Sequence, residues 1–268
     1  MADLIYEKSD GIATITMNRP ERRNAISPEM MVRLGEAWVD FRDDPDLRVA
    51  ILTGAGSEAF CVGGDLAALI PLFTGARPPE GEWDRRLMDN LEFTMTSLLK
   101  GFELYKPIVA AVNGVATAGG CEILQATDIR VASRNARFGL AEAKRGLVPG
   151  GGSLVRLARQ IPYAKAMEIL LTGELMPAEE AWRIGLVNEI VEPDQVLPRA
   201  REIASKLAQC GPFALRKIKE AVLRTSGIPL ADAFAIENQI SAEVMASEDA
   251  REGPRAFLEK RPPRYQGR

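Results

Sequence analysis

The sequence contains no histidine. This absence excludes Ser-His-Asp and Cys-His catalysis and removes the commonest metal ligand, so we expect neither a nucleophilic triad nor a metal site. Any proton transfer must then use mainly carboxylates, lysine, tyrosine or cysteine. Cysteine is also scarce. The three cysteines, Cys61, Cys121 and Cys210, have no paired spacing, which favours a reduced, cytoplasmic protein.

Long apolar runs and a strong charge of either sign are missing as well. No uninterrupted apolar stretch is long enough to span a bilayer, and the first residues lack the apolar core of a secretion signal, so we expect no membrane association. The net charge of −3 provides no general attraction to nucleic acid. Hydrophobic residues make up 46% of the 268 residues, which is enough material for a large buried core.

The sequence does contain an alternation of apolar strands and amphipathic helices, which stops near residue 195. This pattern predicts an α/β core over residues 1–195, followed by an all-helical subdomain over residues 196–268. We also expect a short helix over 65–70, a surface loop over 71–86 and a long helix over 83–105. The loop is either a tolerated insertion or a flap beside a binding pocket. Strands are predicted at 4–8, 12–17, 49–53, 108–112, 128–132 and 186–191, and C-terminal helices at 199–209, 213–225, 229–247 and 248–260.

Two stretches place a glycine pair shortly after an apolar strand. Residues 107–122 indicate a buried strand, a turn, a glycine pair at 119–120 and the start of a helix. Residues 59–66 carry a second pair, at 63–64, ahead of another expected helix. A single pair is compatible with close packing alone, but two such helix starts can each direct one backbone N–H at the same carbonyl oxygen. That arrangement is an oxyanion hole, which stabilises negative charge as it develops on an acyl or thioester oxygen.

Four motifs keep the order and spacing of a known family. They are Asn18-Arg19-Pro20 with Asn24-Ala25, Ala59-Phe60-x-x-Gly63-Gly64-Asp65, Ala110-Ala111-Val112-Asn113-Gly114 with Gly119-Gly120-Cys121-Glu122, and Ala141-Glu142-Ala143-Lys144-x-Gly146-Leu147-Val148-Pro149. With these motifs in register over nearly its whole length, the chain resembles the crotonase superfamily of enoyl-CoA hydratases and isomerases. The resemblance implies an α/β spiral of β-β-α turns whose C-terminal helices pack at a trimer interface, and therefore a homotrimer or a homohexamer of two trimers. It also implies an acyl-CoA substrate and no separate cofactor, because CoA is part of the substrate.

The resemblance assigns roles to particular residues. The two oxyanion donors of the family match Gly64 and Gly119, and the two catalytic glutamates of its hydratases match Glu122 and Glu142. Taken alone, each glutamate is more typical of a residue on a solvated face or at a helix cap, and only the match of both to the family's pair favours catalysis. We interpret Glu142 as the proton donor to C2 of the acyl chain and Glu122 as the base on water, although both carboxylates can hold the same water.

Further positions are expected to contact substrate or CoA. The segment Phe257-Leu258-Glu259-Lys260-Arg261 matches a family motif whose lysine lies by the CoA phosphates, often those of a neighbouring subunit. Asp65 is expected to orient the oxyanion loop. The chain departs from the family at Ala67, where hydratases often carry a lysine, so that one CoA contact is not expected here. The residues expected to bind the substrate or its CoA group are Arg23, Ala25, Gly63, Asp65, Leu66 and Lys260.

These features predict hydration of a 2-trans-enoyl-CoA to a 3-hydroxyacyl-CoA. Two other reactions stay open. Isomerisation of an enoyl-CoA generally needs only the carboxylate at Glu142, and dehydration of a specialised hydroxyacyl-CoA, such as carnitinyl-CoA, is suggested by residues 247–254. A CoA-binding protein without activity is the alternative from a different class.

Overall fold

Two β-sheets form the centre of the protein in the computed structural model, which describes residues 2–268. The larger sheet has six strands in the order β1-β2-β3-β5-β7-β10, antiparallel between β1 and β2 and parallel from β2 onward. The smaller sheet has the order β4-β6-β8-β9. The strands are β1 (Leu4–Ser9), β2 (Ile12–Met17), β3 (Val49–Gly54), β4 (Ala59–Cys61), β5 (Ile108–Val112), β6 (Val115–Thr117), β7 (Ile129–Ser133), β8 (Arg137–Gly139), β9 (Met176–Pro177) and β10 (Glu189–Val191).

Helices follow the strands and then form the C-terminal part of the chain. The first helix begins where the sequence predicts: the Ser27 hydroxyl accepts the N–H of Met30 at 3.1 Å, and Pro28 occupies the first helical position. The helices are α1 (Pro28–Asp43), α2 (Ile70–Phe73), α3 (Glu82–Asp89), α4 (Leu91–Thr96), α5 (Gly119–Leu124), α6 (Ser153–Gln160), α7 (Tyr163–Thr172), α8 (Ala178–Arg183), α9 (Val196–Ala208), α10 (Pro212–Thr225), α11 (Leu230–Ala246) and α12 (Glu248–Leu258).

The predicted spiral is confirmed by the way successive strands divide between the sheets. In each of the pairs β3–β4, β5–β6 and β7–β8, the first strand enters the larger sheet and the second enters the smaller one, and helices follow the pair. Each turn of the chain therefore adds one strand to both sheets. Because parallel neighbours align their carboxyl ends, the segments that follow β4 and β6 meet at one edge of the smaller sheet.

Both faces of the larger sheet are buried. Residues of β3 and β5 alternate: Leu52 and Ala110 point into the main core, whereas Ile51 and Val109 point to the other face. Helix α9 covers that second face with Val196, Ala200 and Ala204. Burial on both sides explains why the predicted strands are continuous apolar runs and not alternating patterns.

The boundary at residue 195 between a core and a helical subdomain remains a prediction. Helix α9 contributes to the second apolar core on the sheet, whereas α10 contains no fully buried residue and α11 buries only Ile240. None of the helices within residues 2–268 is long and apolar enough to cross a bilayer.

The long helix predicted over 83–105 is wrong. Its apolar spacing is divided between α3 and α4, because the Asn90 side chain accepts the N–H of Phe93 at 2.9 Å and starts a new helix. After Thr96 the chain turns away through Leu99 and Gly101, both in the left-handed region with φ of 53° and 72°. The loop predicted over 71–86 is accordingly shorter, since α2 and α3 take its two ends.

Candidate active site

A cavity of about 450 Å³ opens where the segments after β4, β6 and β8 converge. Its walls are largely apolar, and Glu122 and Glu142 are the only acidic side chains among the lining residues within 2–268. The cavity combines a hydrophobic surface with a few polar groups, as small-molecule sites generally do. The apolar lining includes Ile26, Met31, Val62, Leu66, Leu69, Ile70, Phe73, Met95, Leu98, Leu147 and Val148.

Gly119 presents a free backbone N–H at the first residue of α5. Within residues 2–268 this N–H donates to no protein acceptor. The preceding residue, Ala118, has φ 50° and ψ −131°, a conformation that is unfavourable for a residue with a side chain. The next residue, Gly120, packs against β4 so closely that an added Cβ would lie 2.1 Å from the carbonyl oxygen of Cys61.

The second glycine pair lies against the first. A Cβ added at Gly63 would lie 2.8 Å from the nitrogen of Gly119, and one added at Gly119 would lie 3.7 Å from the nitrogen of Gly64. The Gly64 N–H, like that of Gly119, has no protein acceptor within residues 2–268. Two unsatisfied N–H groups therefore lie close together at one cavity, where they can bind a single oxygen.

The helix predicted to begin after Gly64 is wrong. Gly64 forms an isolated bridge with Ile26, and Asp65 then turns the chain by accepting the N–H groups of Ala67 and Ala68 at 2.9 and 3.1 Å. This local side-chain turn delays the helix until Ile70. The position of the Gly64 N–H is thus fixed by the bridge to Ile26 and by the turn at Asp65, and not by the start of a helix.

Glu122 is held as an acceptor on α5. It is 4% exposed, and its Oε1 accepts the N–H of Ser153 at 3.2 Å, at the start of α6. Burial raises the pKa of the carboxyl group, while hydrogen bonds from the backbone of Ser153 and Gly151 and the charge of Arg156 oppose that rise. A fixed, partly stabilised carboxylate is suited to accept a proton from water.

Glu142 has a different environment. It is 9% exposed, and its Oε2 is buried without a hydrogen-bond partner within residues 2–268. Burial, supplemented by the charge of Glu122, raises the pKa of Glu142 to about 7. Glu142 can therefore hold a proton near neutral pH, whereas backbone hydrogen bonds and the charge of Arg156 favour the ionised form of Glu122.

Arg156 supports Glu122 and was missed by the sequence reasoning. Its guanidinium donates to the carbonyl oxygens of Leu98 at 3.2 Å and Leu99 at 2.5 Å, and its charge favours ionised Glu122. Burial lowers the pKa of Arg156. No short motif could have revealed it, because these contacts join residues 57 and 58 positions apart.

Some of the predicted CoA-binding residues near the glycines line the cavity, and others support the loop that carries Gly64. Leu66 lines the cavity, and Gly63 packs behind the free N–H groups. Asp65 accepts a hydrogen bond from Arg19 at 3.0 Å, and Arg19 also donates to the carbonyl oxygen of Ala25 at 2.7 Å. Asp65 thus braces the loop, as expected, without itself lining the cavity.

The two basic residues of the predicted set lie outside the cavity lining. Arg23 is exposed and pairs with Glu58 at 3.3 Å. Lys260 is exposed in the turn after α12, with φ 53°, and forms no ion pair within residues 2–268. The roles of both residues in CoA binding stay predictions.

Comparison with known proteins places the chain in a family. The model of the enoyl-CoA hydratase/isomerase family matches residues 7–268, so the chain belongs to this family of enzymes. It is 46% identical over 266 residues to "Enoyl-CoA hydratase EchA19" of Mycobacterium tuberculosis, covering 99% of this chain and 97% of the relative. It is 40% identical to "(E)-benzylidenesuccinyl-CoA hydratase" of Thauera aromatica, covering 97% and 98%. It is 41% identical to "Carnitinyl-CoA dehydratase" of Salmonella enteritidis, covering 100% of both.

Solved structures show the same fold. An enoyl-CoA hydratase/isomerase structure from Mycobacterium abscessus matches with a TM-score of 0.87 at 45% identity, covering 99% of this chain and 100% of the other. The crystal structure of enoyl-CoA hydratase EchA1 from Mycobacterium marinum matches with a TM-score of 0.87 at 40% identity over 100% of both chains. The predicted family and fold are thus confirmed.

Burial of Glu142 predicts a pH-dependent loss of stability. Because its pKa lies near 7 in the folded chain and near 4.5 when unfolded, the folded state binds more protons between these values, and stability falls as pH rises through that window. Glu142→Gln should therefore be more stable than the wild type by about 1–3 kcal/mol at pH 8, allowing for solvent screening. This gain in the free energy of unfolding of Glu142→Gln over the wild type should disappear below about pH 4.5.

Urea unfolding between pH 4 and 8 measures this difference. Glu179→Gln is the control, because Glu179 is exposed on α8 and outside the cavity lining. A difference between wild type and Glu142→Gln that stayed constant across this range would contradict the buried, protonatable carboxyl group.

Proposed function

We propose that the protein hydrates a 2-trans-enoyl-CoA to a 3-hydroxyacyl-CoA. The observation that carries the proposal is the pairing of two buried carboxyl groups in different environments with two free backbone N–H groups in one apolar cavity. The family supplies the class of CoA thioester chemistry. The relatives named as hydratases support addition of water in particular.

The two N–H groups act on the thioester. Its carbonyl oxygen accepts hydrogen bonds from Gly64 and Gly119, and the positive end of the α5 dipole adds to their effect. Negative charge grows on this oxygen as water attacks C3, because the electrons of the C2=C3 bond move toward an enolate. Preorganised donors in an apolar cavity stabilise this charge more than they stabilise the neutral substrate, which lowers the barrier.

The two carboxyl groups move the protons of one water. Ionised Glu122 accepts a proton from water while the water oxygen forms its bond to C3. Protonated Glu142 delivers its proton to C2, and the enolate returns to a thioester. Water has then been added across the double bond, and transfer of a proton from Glu122 to Glu142 restores the starting state. These steps need no cofactor beyond the CoA of the substrate.

The same groups support dehydration as the reverse reaction. The relative named carnitinyl-CoA dehydratase keeps this alternative open, with a specialised hydroxyacyl-CoA as substrate. Isomerisation is less well supported, because it needs one carboxyl group and Glu122 is separately held by Ser153. A CoA-binding protein without activity has no use for a buried carboxyl group with a pKa near 7. Assays of hydration, dehydration and isomerisation on one preparation separate these functions.

We also propose that the chain assembles as a trimer or as a hexamer of two trimers. Apolar side chains are exposed on the last three helices, and a symmetric neighbour commonly buries such a surface. In this arrangement Lys260 contacts CoA phosphates near a subunit boundary. The exposed apolar residues of α10, α11 and α12 are Ile218, Val222, Leu223, Leu230, Phe234, Met245, Phe257 and Leu258.

Removal of either carboxyl group should abolish most of the activity. Glu122→Gln and Glu142→Gln should each reduce kcat for crotonyl-CoA hydration by about a hundredfold or more, since general acid–base groups contribute on this scale. Glu179→Gln should retain wild-type kcat. Near-full activity in either cavity variant would refute the role assigned to that residue, and loss in Glu142→Gln alone would favour isomerisation.

Removal of one N–H donor tests the oxyanion hole. Gly119→Pro should lower kcat by about 10²–10³-fold, because proline lacks the N–H but is tolerated at the first position of a helix. Gly119→Ala is the matched control. It retains the N–H, and its Cβ meets Gly63 Cα at an ordinary 3.4 Å, so its kcat should stay within about tenfold of wild type. Circular dichroism checks that both variants fold, and equal kcat in the two would contradict the assignment.

Assembly and the phosphate contact can be tested together. Light scattering should give the mass of a trimer or hexamer, and Lys260→Gln should raise KM for crotonyl-CoA several-fold, less so at high salt because the contact is electrostatic. Arg251 is an exposed cation on α12, and Arg251→Gln should leave KM unchanged. A fully active monomer would overturn the assembly, and a salt-independent rise in KM would overturn the phosphate contact.

A further inference from the structure

Two cations line the cavity without a carboxylate partner. The ammonium group of Lys100 donates to the carbonyl oxygen of Gly150 at 2.7 Å, and the guanidinium of Arg145 donates to that of Ala141 at 3.0 Å. Within residues 2–268 neither forms an ion pair, although many other Lys and Arg residues do. Each therefore keeps N–H donors available to a ligand.

These cations line the same cavity as the two carboxyl groups and influence their charge. The charge of Lys100 favours ionised Glu122, and the charge of Arg145 favours ionised Glu142, although burial outweighs both and the two pKa values are raised. The carboxyl groups act on C2 and C3 of the acyl chain, whereas the glycine N–H groups bind the thioester oxygen. Since Lys100 and Arg145 line the same cavity as these carboxyl groups, they are within reach of an acyl group that extends beyond C3.

The charges of the cavity do not balance when it is ready for catalysis. With Glu142 protonated, the described lining residues carry at most one negative charge, against the positive charges of Lys100 and Arg145. Arg156 adds further positive charge behind the wall, where its donors are directed at Leu98 and Leu99. The remaining lining is almost wholly apolar. Lys100 and Arg145 are both exposed, so they are accessible charged groups to which an anionic part of a ligand can bind.

We propose that the substrate's acyl group carries a carboxylate beyond C3, which Lys100 and Arg145 bind. This inference rests on the proposed hydratase function and narrows its substrate class to enoyl-CoA thioesters with an anionic acyl group. The two cations bind the carboxylate through charge-assisted hydrogen bonds. They also repel an acyl group that ends in a trimethylammonium cation, which disfavours a substrate of that charge.

Matched substrates test the inference directly. The 2-trans-enoyl-CoA thioesters of five and six carbons are compared with the same thioesters bearing a terminal carboxylate in place of the methyl group. The wild type should show a kcat/KM at least about tenfold higher for one or both carboxylate substrates than for the matched neutral substrate. A six-carbon substrate ending in trimethylammonium should be poorer than the neutral one.

Variants assign the preference to the two cations. Lys100→Gln and Arg145→Gln should each lower the ratio of carboxylate to neutral kcat/KM by about fivefold or more, while Lys100→Arg should restore most of it. The ratio is the readout because loss of the Lys100–Gly150 bond would also affect both substrates equally. Lys144→Gln is the matched control. Lys144 is exposed, pairs with Glu174 at 2.6 Å and does not line the cavity, so its ratio should equal that of wild type.

Pantetheine thioesters of the same acids distinguish the acyl carboxylate from the CoA phosphates. A preference that persists without the phosphates supports the inference. If the Gln variants lose activity equally on carboxylate and neutral CoA substrates but not on pantetheine thioesters, the cations bind phosphate and the inference is wrong. Hydration of neutral substrates with no carboxylate preference at either length overturns this inference alone, whereas absence of hydration, dehydration and isomerisation overturns the proposed function.

Discussion

The site depends on one close contact between two stretches of backbone. A Cβ at Gly120 would fall 2.1 Å from the carbonyl oxygen of Cys61, and a Cβ at Gly63 would fall 2.8 Å from the nitrogen of Gly119. Real Cβ atoms essentially never approach so closely, so α5 and the segment from Cys61 to Gly63 can meet in this way only because Gly120 and Gly63 lack a side chain. This contact brings two free N–H groups to a single cavity, and it also fixes α5, the helix that carries Glu122.

Burial of the carboxyl groups of Glu122 and Glu142 costs free energy of folding, because a buried carboxylate loses its hydration. The fold limits this cost differently at the two residues. At Glu122, backbone N–H groups at the start of α6 and the nearby Arg156 stabilise the ionised form. At Glu142, the carboxyl group can remain protonated, because its pKa of about 7 removes the need to bury a charge at lower pH. The same difference between the two environments underlies the proposed roles of Glu122 as the base and Glu142 as the acid.

Much of this arrangement was predictable from the sequence because it rests on local patterns. Buried strands appear as apolar runs, and glycines appear where backbones must touch. The errors occurred where a local hydrogen bond overrides periodicity: Asn90 divides a continuous apolar stripe into two helices, and Asp65 replaces the expected helix start with a turn. Arg156 and Lys100 could not be found in this way, since their partners lie 50 or more positions away.

The segment from Gly150 to Ser153 contacts both a proposed catalytic carboxylate and a cation proposed to bind the substrate. Its carbonyl at Gly150 accepts the bond from Lys100, and its N–H at Ser153 holds Glu122. A Cβ at Gly151 would lie 2.8 Å from the carboxylate of Glu122, so only a residue without a side chain fits beside that carboxylate without a shift. One short stretch of backbone therefore supports both a cation proposed to bind the acyl group and a carboxylate proposed to activate water, so a shift of this backbone would displace both groups.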